Sequence, residues 1–61
     1  MPSEEVRHLL KLFGVAVTEL EDAVHQGVAP DELRKRDAEV RARLEDLESL
    51  IERLRKRMAQ V

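Results

Sequence analysis

Cysteine, tryptophan and tyrosine are absent from this chain of 61 residues. Without cysteine the chain cannot form a disulfide or a thiolate metal site, and this composition favours a cytoplasmic protein. A chain this short buries only about 60% of its unfolded surface, so it usually needs a disulfide, a metal ion or a second chain for stability. Since disulfides and thiolate metal sites are both excluded, we expect this chain to be stabilised by association with another chain.

Long apolar runs are also missing. The uncharged stretch between Lys11 and Glu19 has seven residues, whereas a membrane-spanning helix needs about 20. The chain begins Met1-Pro2-Ser3-Glu4-Glu5, and this acidic start is unlike the basic start of a secretory signal. We therefore expect neither a membrane span nor a signal peptide.

Glycine and proline are scarce, with two of each, while charged residues make up 39% of the chain and apolar residues 43%. This composition is typical of long helices. Gly27 and Pro30 lie close together; glycine favours a helix end, and proline suits the first turn of a helix. A short turn there makes the two helices antiparallel neighbours. The prediction is a single hairpin over residues 1–61, with a helix at 3–26, a turn at 27–29 and a helix at 30–60.

Apolar side chains recur at steps of three and four residues in both predicted helices, which indicates one buried stripe on each helix. In the second helix the pattern continues over four seven-residue repeats, as in a coiled coil. The first stripe consists of Val6, Leu9, Leu10, Phe13, Ala16, Val17, Leu20, Ala23 and Val24. The second consists of Leu33, Asp37, Val40, Leu44, Leu47, Ile51, Leu54, Met58 and Val61.

A single hairpin cannot cover all of these side chains. Leu12, Val15 and Leu50 lie beside the stripes, and Met58 and Val61 extend beyond the end of the first helix. Because helices that are apolar on more than one side are buried on more than one side, the expected fold is all-α: a two-helix antiparallel hairpin with coiled-coil-like packing that dimerises into a four-helix bundle. The alternative is a monomer with isolated exposed apolar residues. The expected interface with a second copy, or with a larger partner protein, comprises Val6, Leu12, Phe13, Val15, Leu20, Val40, Leu47, Leu50, Leu54, Met58 and Val61.

Two residues inside the predicted helices each have two interpretations. Asp37 either sets the register of helix pairing or lies at the core margin, paired with Arg34 or Arg41. Gly14 costs about 1 kcal/mol in a helix relative to alanine, and it either marks the close approach of another helix or is a tolerated surface residue. We favour the core margin for Asp37 and close approach for Gly14.

Basic side chains cluster near the end of the second helix. The cluster consists of Arg53, Arg55, Lys56 and Arg57. Arginine suits phosphate groups, so the cluster is a candidate anion-binding site for nucleic acid. However, acidic residues interleave on the same helix and no aromatic residue is placed to stack on a base. We therefore favour a structural role, in which the arginines that flank the apolar stripes pair with Glu5, Glu19 or Glu48.

The stretch from Phe13 to Val24 resembles the first helix of the exonuclease VII small subunit, a family of short helical hairpins. The connection from Val24 to Pro30 is shorter here than in that family, and the glycine expected in the second helix is absent. The length and hairpin design also resemble the plasmid RNA-binding protein Rop, whose dimer is a four-helix bundle. These resemblances imply a helical hairpin and a role beside nucleic acid, and they assign the chain to no family.

The sequence shows no pattern of a catalytic, metal or cofactor site. His8 and His25 lie 17 residues apart and lack the spacing of metal ligands. There is no histidine–acid arrangement for a nucleophile and no glycine-rich phosphate loop. We therefore predict a non-enzymatic assembly or adaptor module, without a cofactor, that acts through self-association and protein–protein contacts. The alternative is a nucleic-acid-associated protein or a small accessory subunit of a nucleic-acid enzyme.

Overall fold

The computed structural model describes residues 3–60, which form two α-helices, α1 (Glu4–Gln26) and α2 (Pro30–Ala59). The helices pack against each other along their lengths. They run antiparallel, because Glu5 at the start of α1 contacts Arg53 late in α2. The prediction of an all-helical, two-helix hairpin is confirmed, and the molecule measures 49 × 20 × 11 Å.

The first helix begins at a side-chain cap. Ser3 has extended backbone angles, and its hydroxyl accepts a hydrogen bond from the Val6 backbone N–H at 3.1 Å. This bond satisfies one of the N–H groups that have no partner at a helix start. Glu4 and Glu5 occupy the first turn, where negative charge favours the helix dipole. Ser3 itself therefore lies outside α1, which begins one residue later than the sequence pattern indicates.

The turn depends on glycine at one position. Gly27 has φ 66° and ψ 40°, a left-handed conformation that glycine adopts without steric cost. The Val28 N–H donates to the Ala23 carbonyl oxygen at 3.3 Å, which closes the end of α1 as helix-ending glycine motifs do. Pro30 is the first residue of α2, where its missing N–H loses no hydrogen bond.

The core of the hairpin is small. Only Ala16, Ala23 and Leu50 are buried among the described residues, and no described side chain is completely enclosed. Alanine at two of these three positions lets the helices approach but removes little apolar surface from water. The remaining side chains along the line of contact, which we call the seam, are half-buried. They are Leu9, Leu12, Phe13 and Leu20 on α1, and Leu33, Val40 and Leu47 on α2.

The side of α2 that faces α1 is rotated about the helix axis from the stripe that the sequence indicates. Leu50, expected beside the seam, is 7% exposed, whereas Leu44 and Ile51, expected in the seam, are 44% and 46% exposed. Arg36 and Arg43 are half-buried and lie on the same side of α2 as Leu50. The side of α2 that packs on α1 therefore includes Leu50 and leaves Leu44 and Ile51 largely exposed.

Candidate protein–protein interface

Ion pairs line one edge of the seam. Arg53 donates to Glu5 Oε2 at 2.7 Å, and Arg36 donates to Glu19 Oε2 at 3.1 Å, so both pairs join α1 to α2. Arg36 also contacts Glu32 on its own helix at 2.8 Å. The expected pairing of arginines with Glu5 and Glu19 is confirmed. These residues define the polar face of the hairpin.

Apolar side chains line α1 and α2 at seven-residue intervals and are largely exposed. Each is between 41% and 75% exposed, although each belongs to a type that is normally buried. On α1 they are Leu10, Val17 and Val24, and on α2 they are Leu44, Ile51 and Met58. We call these six residues the apolar ridge.

Helix geometry places the whole ridge opposite the polar face. At 3.6 residues per turn, each residue advances by about 100°. Val17 therefore lies about 100° to one side of the buried Ala16, and Glu19 lies about 60° to the other side. On α2, Ile51 and Arg53 likewise lie on opposite sides of Leu47. Because the glutamate–arginine pairs fix which edges of the two helices meet, the ridge residues of both helices share the other face.

The ridge continues into the seam without a polar break over most of its length. Phe13, Leu20, Val40 and Leu47 are half-buried between the two rows of exposed ridge side chains. The result is an apolar face that runs along the hairpin. Asp37 is at its turn end, seven residues before Leu44, and is held by Arg41 Nε at 2.9 Å.

The chain exposes more surface than a compact monomer of the same mass. A compact monomer of 7.1 kDa exposes roughly 4,100 Å² by the usual scaling with mass. This hairpin exposes 5152 Å². The excess of about 1,000 Å² is comparable to the ~800 Å² that one partner contributes to a standard protein–protein interface.

The interface residues expected from sequence fall into three groups. Leu50 is buried and Val6, Leu12, Phe13, Leu20, Val40 and Leu47 are half-buried, so they belong mainly to the hairpin itself. Val15, Leu54 and Met58 are exposed, and Val61 lies outside the described residues. Val15 lies on the side of α1 that carries Glu19, away from the ridge.

Five of the six ridge residues were not assigned to the expected interface. Only Met58 was included in it. The signal that identifies the others is their spacing: positions 10, 17 and 24 and positions 44, 51 and 58 each repeat at seven residues. Each set runs parallel to the seam and one position away from it, so it presents a continuous row to a second pair of helices.

The basic cluster does not form one patch. Arg53 is bound to Glu5, and Arg55 contacts Glu52 at 3.6 Å. Arg53 and Arg57 are one turn apart, but Arg55 lies about 160° away from both around α2. Two of these charges are paired with glutamates on different sides of α2, and the four do not converge on one point.

Neither helix in the described part of the chain contains an apolar segment of the length that a membrane span requires. The side chains of residues 3–60 form no group of three or more potential metal ligands. The chain matches no protein-family model, no curated protein and no solved structure.

Proposed function

We propose that this chain is a non-enzymatic assembly module that forms a homodimer through the apolar ridge, giving a four-helix bundle. The observation that carries the proposal is the ridge itself: six large apolar side chains share one face of a hairpin in which only three of the described residues are buried. Contiguous apolar surface of this kind marks interaction sites on soluble proteins. A second hairpin covers the ridge with an identical ridge and supplies the core that one chain lacks.

The two faces of the hairpin support a single, defined interface. The opposite face is occupied by ion pairs between the helices, and burying them would remove charges from water at considerable cost. Association through the ridge leaves these pairs in solvent. The assembly therefore closes as a dimer of hairpins rather than growing into a stack.

The longer helix carries one end of the ridge past α1, where Met58 is offered to a larger partner protein as well as to the second hairpin. α2 has 30 residues and α1 has 23, and the last ion pair between them is Glu5–Arg53. Beyond that pair α2 continues to Ala59, and its Met58 is 75% exposed. Methionine adapts to irregular apolar surfaces, which suits this end of α2 to docking. We place the module in the cytoplasm because it folds without disulfides.

Sedimentation equilibrium tests the dimer with a matched pair of variants. Val17→Lys places a charge on the ridge, and Val15→Lys places the same charge on the other side of α1. Both valines are similarly exposed, and each has a glutamate four residues later. We expect the wild type and Val15→Lys to be dimers at micromolar concentration and Val17→Lys to be a monomer. A wild-type chain that sediments as a folded monomer would refute the proposal.

The second candidate function is binding of nucleic acid by Arg53, Arg55, Lys56 and Arg57. The observation that favours it is the exposure of this end of α2. Contacts to phosphate release counterions, so affinity for a mixed RNA and DNA pool would fall steeply with salt. Filter binding at low salt checks this function, and absence of binding there excludes it.

A further inference from the structure

We propose that the two copies pack with their turns at opposite ends of the bundle, so that α1 lies on the partner's α1 and α2 on the partner's α2. This inference rests on the proposed dimer and defines its geometry. The observation that carries it is the sign of the charge at each end of the hairpin.

A symmetric dimer that buries the same face of both hairpins has only two arrangements. If the two-fold axis runs along the helices, the turns lie at the same end and α1 packs on the partner's α2. If the axis runs across the helices, the turns lie at opposite ends and like helices pack together. Neighbouring helices are antiparallel in both cases, so helix packing alone does not choose between them.

The ends of the hairpin carry opposite charge. Residues 18–39, around the turn, contain seven acidic and three basic side chains, a net charge of −4. Residues 3–11 and 50–60, at the open end, contain three acidic and six basic side chains, a net charge of +3. Turns at the same end would place like charge beside like charge at both ends. Turns at opposite ends place each acidic end beside a basic end, which favours this orientation.

A distance between the two turns distinguishes the arrangements. The chain has no cysteine, so Ala29→Cys gives one labelling site, at an exposed turn residue. With spin labels there, the helix rise of 1.5 Å per residue sets a separation of roughly 35–50 Å for turns at opposite ends and below about 20 Å for turns at the same end. We expect the long distance in pulsed dipolar spectroscopy. A short distance would overturn the orientation and leave the dimer intact, whereas a monomer in sedimentation would overturn the dimer itself.

Two charge reversals give a second, independent readout. Lys35 and Lys56 are exposed, lie 21 residues apart and so occupy the same heptad position on α2, one at each end. With turns at opposite ends, Lys35→Glu should tighten the dimer and Lys56→Glu should weaken it, each by roughly two- to threefold at low salt. Both effects should fade at high salt, where surface charges are screened. If Lys35→Glu instead weakens the dimer and Lys56→Glu tightens it, the turns lie at the same end and the proposal is contradicted.

Discussion

Gly14 occupies an open position in the middle of α1. Apart from its chain neighbours and the nearby backbone of α1, no described atom lies within 4 Å of the place where a Cβ atom would be. Its carbonyl oxygen accepts a hydrogen bond from Thr18 Oγ1 at 2.9 Å. The close approach that the sequence led us to favour therefore does not occur within the hairpin, because Gly14 faces away from α2.

Gly14→Ala should raise the free energy of unfolding by about 0.5–1 kcal/mol, because alanine loses less backbone entropy in a helix and has room here. Urea denaturation followed by circular dichroism measures the change. Gly27→Ala is the control: its φ of 66° makes the same substitution destabilising. A lower stability for Gly14→Ala would indicate that the partner's helix, rather than α2, approaches this glycine.

At the scale of elements, the helices and their turn were predictable from sequence, since local chemistry determines them. Gly27 and Pro30 mark the turn, and Ser3 caps α1, without help from distant contacts. The rotation of α2 about its own axis was not predictable. The apolar stripe of a helix marks the middle of its whole buried surface, and that surface includes contacts with a second chain as well as contacts within the hairpin. It does not separate the sector that faces α1, which contains Leu50, from the sector that contains Ile51.

Leu50 and Ile51 are adjacent in sequence and allow this division of α2 to be tested. Leu50→Ala removes the most buried large side chain of α2, so it should destabilise the folded chain at every protein concentration, by about 2–3 kcal/mol. Ile51→Ala should chiefly weaken dimerisation and leave the helicity of the dissociated chain similar. Helicity and sedimentation measured over a hundredfold dilution separate the two effects. Equal behaviour of the variants would mean that the seam and the ridge are not distinct.

At the scale of the molecule, stability should depend on association. Only three of the described residues are buried, which is a small core, and the chain exposes about 1,000 Å² more than a compact monomer of its mass. If folding and dimerisation are coupled, the wild-type melting temperature should rise with protein concentration. Differential scanning calorimetry at several concentrations checks this, with Val17→Lys as the control expected to melt lower and independently of concentration. A wild-type melting temperature that does not change with concentration would mean that the hairpin is stable without dimerisation.

The three-residue connection between α1 and α2 also has a consequence for the order of events in folding. Closing so short a loop costs little entropy, and the contacts nearest the turn join residues close in sequence. Pairing should therefore begin at Ala23 and Val28 and proceed outward, with Glu5 and Arg53 meeting last. In the reverse direction the same two residues separate first. Amide hydrogen exchange should accordingly be fastest where the two helix termini meet and slowest around the turn-proximal seam.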